Sequence, residues 1–118
     1  ITKTKSLTSE ELINLHSNIE YEVKMIGFNP GFAYLGDLDK KLRIPRLSKP
    51  RINLLPGSVG IAENRTGIYP FGGPGGWNIL GRTPLKLFDD NKENPFLIKQ
   101  DMRVKFDPIT KKEFESFN

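Results

Sequence analysis

From Pro56 to the C-terminus, turn-forming residues interrupt this sequence about every ten positions, and no helix of ordinary length fits between them. The apolar pieces left between the turns are short: Ser58 to Glu63, Gly67 to Phe71, Trp77 to Gly81, Leu85 to Phe88, Phe96 to Ile98 and Met102 to Phe106. Such spacing predicts a small sandwich or barrel. The favoured architecture is mainly β: a closed or nearly closed antiparallel β-barrel, with one or two short helices over its openings.

Two capping boxes supply the helices. Thr8-Ser9-Glu10-Glu11 predicts a short helix through Leu12, Ile13 and Leu15 that ends near His16 and Ser17, and Thr110-Lys111-Lys112-Glu113 predicts another through Phe114 and Phe117. Between them, Tyr21, Val23 and Met25 alternate with Glu22, Lys24 and Ile26, the pattern of a half-buried strand. Gly27, Pro30 and Gly31 break that pattern, and residues 29 to 51 read as a long exposed connection. The opening Lys3-Thr4-Lys5-Ser6, after Ile1 in place of Met, reads as linker. Residues 1–7 are therefore expected to lead in from a further domain, with 8–118 forming one domain around one core, a length well suited to that.

Several function classes drop out on composition. No apolar run approaches the ~20 residues of a membrane span, so no membrane role is expected. There is no cysteine, which removes disulfides, thiolate nucleophiles and Cys-based zinc sites and suits a reducing, cytoplasmic setting. His16 is the single histidine, which leaves neither a His-rich metal site nor a catalytic triad with a spare base; it reads as a capping or hydrogen-bonding residue or as a lone base. Asp89-Asp90 is the one carboxylate pair considered for metal binding, and it sits in a polar turn; no metal site is assigned.

Charge is concentrated. Six of the 18 Lys and Arg lie between residues 40 and 51 with no acid among them, leaving 12 against 14 Asp and Glu elsewhere, so the net +4 comes from this one stretch. Arg46 and Arg51 within it, beside Tyr34, fit a phosphate or carboxylate ligand, an acidic protein partner or a plain solvated loop. No nucleic acid is expected, because no reader motif accompanies the charge. Gly72-Gly73-Pro74-Gly75-Gly76 is neither a P-loop nor a dinucleotide fingerprint. It reads as a tight corner capped by Trp77, or as a loop whose backbone N–H groups, at Gly75 and Gly76, hold an oxyanion. Arg82-Thr83-Pro84 follows the next strand, where Arg82 is placed either to grip an anion with a two-pronged hydrogen bond or to form a structural ion pair.

The segments MIGFNPGFAYLGDL (25–38), IPRLSKPR (44–51), LPGSVGIAENRTGIYP (55–70) and PGGWNILGRTPLKLFD (74–89) together resemble the KipI family. This is also called the B subunit of prokaryotic 5-oxoprolinase (PxpB), formerly allophanate hydrolase subunit 1. The likeness runs from about Thr8 to Ile109; Gln100 stands where many relatives have Gly. The resemblance implies a cyclophilin-like β-barrel forming the C-terminal domain of a longer chain, and similar domains occur in the carboxyltransferase part of urea amidolyase. It also implies a non-autonomous subunit that works with a KipA/PxpC-type and a PxpA-type partner to open 5-oxo-L-proline to glutamate, using ATP with Mg bound only in the assembled complex. In that setting Arg82 and His16 are the candidate catalytic residues, and Arg46, Arg51, Gly75, Gly76, Thr83 and Tyr34 the candidate substrate- or phosphate-binding ones. A second implied role, known for one member, is inhibition of a sensor histidine kinase by docking. Prolyl isomerisation follows only from the fold analogy, and the sequence pattern that supports it in cyclophilins is absent.

Overall fold

Helix α1 (Ser9–Ser17) starts where its capping box places it. Glu11 N donates to Thr8 Oγ1 and Thr8 N to Glu11 Oε1, each at 3.1 Å. These bonds to Thr8 hold the Glu11 carboxyl below its usual range. Leu7, just before the cap, packs against the same core cluster as Leu12, an apolar pair at the spacing that fixes how a chain enters a helix. The computed structural model describes residues 7–27, 32–89, 93 and 95–116. Residues 1–6 of the expected linker, the Pro30-Gly31 break, Asp90 and Phe117 lie outside them.

Eight strands follow: β1 (Tyr21–Ile26), β2 (Ala33–Gly36), β3 (Arg51–Leu54), β4 (Ser58–Ala62), β5 (Arg65–Ile68), β6 (Gly73–Gly75), β7 (Asn78–Arg82) and β8 (Arg103–Val104). A second capping box then opens α2 (Lys111–Glu115), again as the Thr110 spacing predicts. Six strands form one sheet in the order β7-β4-β5-β2-β1-β8, and β3 and β6 form a separate two-stranded ribbon. Every pairing is antiparallel. The fold is thus mainly β with two short helices, as expected. The hydrogen-bonded ladder ends at β7 on one side and β8 on the other, and residues of both edges line one groove of about 790 Å³. An open groove, rather than a continued ladder, lies at the seam of the expected barrel.

Only part of the stretch from 29 to 51 departs from the exposed connection its sequence suggests: residues between 33 and 44 feed the main core, whereas 45–51 are exposed apart from half-buried Leu47. Leu35, Leu38, Leu42 and Ile44 are buried there with Leu12, Tyr21, Val23 and Ile61. β2 is paired on both edges, with β1 and β5, and packs on both faces, Ala33 and Leu35 in the main cluster and Tyr34 against the aromatic one, so it shows no alternation. A 3₁₀ turn (Lys40–Leu42), capped by the Asp39 carboxylate on Lys41 N, then swings Leu42 inward. Burying each such aliphatic side chain contributes about 1.5–3 kcal/mol. Met25 departs from the strand pattern for another reason. A bulge between Val23 and Met25 shifts the register, and Met25 ends up exposed.

Two expected strands are absent. Leu85–Phe88 and Phe96–Ile98 meet only through an isolated Phe88–Phe96 bridge, with Leu87 anchored on Val59 and Ile68. Conversely, β3 and β6 were not evident as strands from sequence: β6 is Gly-Pro-Gly, residues depleted in strands generally, and β3 is four residues of which only Leu54 is buried, so it shows no alternation. Among the described residues no helix is long and apolar enough to cross a membrane.

Candidate functional site

The basic segment and the glycine run meet. Arg51 opens β3 and faces Gly75 of β6 in register, while Leu47 N donates to Gly76 O at 2.7 Å. The glycine run is therefore a strand over Gly73–Gly75, not an open loop. Glycine is needed at 75 for lack of room: a Cβ there would come within 2.6 Å of Leu54 Cδ1 and of the Tyr69 ring. Gly76 differs, since a Cβ there would meet nothing within 4 Å, and its backbone borders open space.

Beneath this edge lies an aromatic cluster. Phe32 is its centre, with ring centroids 4.9 Å from Tyr34, 5.0 Å from Tyr69 and 5.3 Å from Trp77, the last two edge-on. Tyr34 and Trp77 meet at 5.8 Å, and the Arg46 guanidinium carbon stands 6.0 Å from the Trp77 ring centroid. That separation is within reach of an attraction between a cation and a π-face. Burial raises the Tyr69 hydroxyl above its ordinary pKa, with the Trp77 backbone and Arg46 pulling the other way. Tyr69 stays a neutral phenol beside a permanent cation. Arg46 and Arg51 are exposed, and no ion pair involving either is present among the described residues. Such an arrangement suits an anion approaching the Gly76 end of the ribbon, with Arg46 and Arg51 as donors and Tyr34 and Trp77 as a wall.

Arg82, Thr83 and His16 are elsewhere. β7 runs from Asn78 to Arg82, so Gly76 and Arg82 stand beyond opposite ends of most of that strand, about 13 Å of rise or more. β7 thus carries the candidate catalytic Arg82 away from the candidate binding residues Gly75 and Gly76. Instead, Arg82 Nε donates to Pro56 O at 2.8 Å, and its guanidinium lies 5.6 Å from the Phe114 ring centroid. The side chain ties the turn before β4 to α2. Thr83 N donates to Gly57 O at 2.8 Å, and Gly57, at φ +87°, makes the turn that permits this. Both residues border the groove between β7 and β8.

His16 reaches that groove from the end of α1 but is 6% exposed. Its Nε2 is 2.8 Å from Thr66 Oγ1, and that hydroxyl in turn donates to Gly60 O at 3.0 Å. With the Thr66 proton committed to Gly60, the His16 Nε2–H is the donor to Thr66. Burial lowers the imidazole pKa to about 4. Tyr21, whose hydroxyl donates to His16 O at 2.7 Å, is pushed up to about 12 by burial first and by Asp39 second. His16 is thus a neutral, hydrogen-bonded core residue, poorly matched to proton transfer near pH 7. Tyr69 and Phe32 are the site residues that sequence reasoning missed; aromatic spacing alone does not separate them from ordinary core.

Residues 1–98 match the family described as carboxyltransferase domain, subdomain C and D. The chain is 44% identical, over 99% of its length, to the 5-oxoprolinase B subunit of Bacillus subtilis (strain 168), covering 49% of that protein. It is 46% identical, over 90% of its length, to the 5-oxoprolinase B subunit of Haemophilus influenzae, covering 50% of it. Among solved structures, a conserved uncharacterized protein of Pyrococcus horikoshii superposes with a TM-score of 0.90 at 45% identity, covering 96% of this chain and 52% of that one. The chain therefore spans about half the length of the curated relatives it matches.

Proposed function

The chain belongs to the carboxyltransferase subdomain C and D family, and on that premise we propose that it acts within a multi-subunit, ATP-dependent 5-oxoprolinase that opens 5-oxo-L-proline to L-glutamate. Its partners are a KipA/PxpC-type and a PxpA-type subunit. Two curated relatives, 44% and 46% identical to it over the aligned residues, are named as the B subunit of 5-oxoprolinase, which supports a role as one part of an assembly.

The observation that carries the reading is that Arg46 stands over the Trp77 ring beside Tyr34, while Arg51 is paired with Gly75 next to the open space at Gly76. A cyclic amide bearing a carboxylate, and a nucleoside triphosphate, are both anions of the class this edge can hold. Arg46 and Arg51 would bind and orient the anion, open space at Gly76 lets it approach the main chain, and the aromatic wall excludes water from one side. ATP, when bound in the assembled complex, would supply the phosphoryl group that activates the amide carbonyl toward water, so that the ring C–N bond opens and phosphate is released. The residues present fit its phosphates. Among the described residues no three carboxylate or imidazole groups are placed to hold a metal ion, so magnesium ligands are assigned to the phosphates and the partner subunits.

The test is 5-oxoproline-dependent ATP hydrolysis by the full-length protein assembled with its two partner subunits. Arg46→Ala and Arg51→Ala should each lower turnover by as much as a hundredfold, about 3 kcal/mol, with little change in melting temperature. Lysine at either position should restore only part, since an ammonium lacks the planar fork. Normal turnover in both alanine variants would move the anion site away from this edge.

A further inference from the structure

The β3–β6 ribbon exposes large apolar side chains that the site above does not use. Ile52 is 78% exposed, Leu55 57% and Phe71 43%, all on the ribbon or within two residues of it. A β-branched residue that open to water in the middle of a four-residue strand gains nothing from its position in the isolated chain. Among the described residues β3 has a strand neighbour on one side only, β6, so its other edge carries no ladder. Arg46, Lys49 and Arg51 lead directly into it, all exposed, with no acidic residue between 40 and 51 and no ion pair to any of the three among the described residues. The ribbon thus carries exposed apolar side chains next to a cationic lead-in.

We propose that the β3–β6 ribbon is a docking surface for a partner protein that presents an extended segment, with apolar side chains to meet Ile52, Leu55 and Phe71 and a carboxylate to meet Lys49, the border cation that the anion site does not use. An added strand beside β3 would satisfy its free backbone edge, and the alternating side chains of that strand would supply the apolar contact. Charge decides between occupants. In a two-fold pairing of identical copies each patch meets itself, which sets Arg46, Lys49 and Arg51 of one copy against the same cations of the other. An acid-bearing partner removes that repulsion and gains steering at a distance of about a Debye length. The proposal rests on the reading of this chain as one subunit of an assembly, and it adds where the neighbouring subunit attaches.

The experiment measures the affinity of the full-length protein for a purified KipA/PxpC-type subunit, with each variant's melting temperature recorded. Ile52→Glu and Leu55→Glu place a carboxylate in the apolar strip at positions open enough to leave the fold intact, and each should weaken binding about tenfold or more. Met25→Glu, at another exposed apolar position on β1 (52%), should bind as the parent does. Parent affinity should also fall steadily as salt rises, a readout that needs no variant. Unchanged binding by both ribbon variants overturns the proposal, as does an equal loss in Met25→Glu, a salt-independent affinity, or no binding by the parent. Self-association of the full-length protein that Ile52→Glu abolishes would put a second copy on the ribbon and overturn it likewise. Failure of the two readings is separable. Ribbon-sensitive binding without 5-oxoproline turnover removes the catalytic reading and leaves the surface, whereas turnover with ribbon-insensitive binding does the reverse.

Discussion

Burial keeps the His16 imidazole neutral down to about pH 4, whereas in an unfolded chain a histidine takes up its proton near pH 6.5. The folded pKa is the lower one, so this group's contribution to stability is fully present above about pH 6.5 and is lost as pH falls toward 4. The difference corresponds to roughly 3 kcal/mol. Denaturant unfolding at pH 7 and pH 4 should show the parent losing about that much more than His16→Gln, which retains a donor for Thr66 but does not titrate. Equal losses would mean that the ring is charged or solvated in the folded protein. Arg82 offers a contrast, since its bond to Pro56 O and its contact with Phe114 lie away from the aromatic cluster. Arg82→Ala should cost about 1 kcal/mol of stability, read as a lower melting temperature, with turnover of the assembled complex reduced less than in Arg46→Ala. A large drop in turnover at unchanged stability would return Arg82 to the catalytic site.

Helix α1 and ribbon strand β6 differ in what a local sequence reveals. The capping box of α1 is a short-range device, complete within four residues, and it was legible because its hydrogen bonds join residues three apart. Thr8→Ala should cost about 1 kcal/mol, measurable by denaturant unfolding. β6 has no local signal, since Gly73-Pro74-Gly75 becomes a strand only through its partner β3, some twenty residues earlier. Its glycine at 75 is required by contact with Leu54 and Tyr69 rather than by backbone conformation. Gly75→Ala should therefore destabilise the chain by about 1–3 kcal/mol through overpacking, and weaken the anion site along with it. An alanine variant with unchanged stability would show that Tyr69 yields easily. β2 illustrates the opposite error: burial on both faces erased the alternation by which a strand is recognised, and its stretch read as a loop.

At the scale of the whole molecule, the candidate site is an edge of one domain, holding cations, an aromatic wall and open backbone, while His16, the single histidine, lies away from it, buried and neutral at pH 7. The full-length protein without its partners should accordingly show negligible 5-oxoproline-dependent ATP turnover, and activity should appear when they are added. Robust turnover by the single subunit would contradict the assignment of the missing groups to the partners. The sequence by itself determined the β-rich class, both helix starts and the concentration of positive charge between residues 40 and 51, because turn spacing, capping and charge are properties of neighbours along the chain. Only the tertiary structure decided which cations stand together. Arg51 reaches Gly75 through a strand pairing, and Arg46 reaches Trp77 because Leu47 bonds Gly76; Arg82, seven residues from Gly75, is carried away along β7. Proximity along an extended strand becomes distance at about 3.3 Å per residue, while pairing brings remote segments within one ladder spacing. No pattern within a single segment encodes that difference.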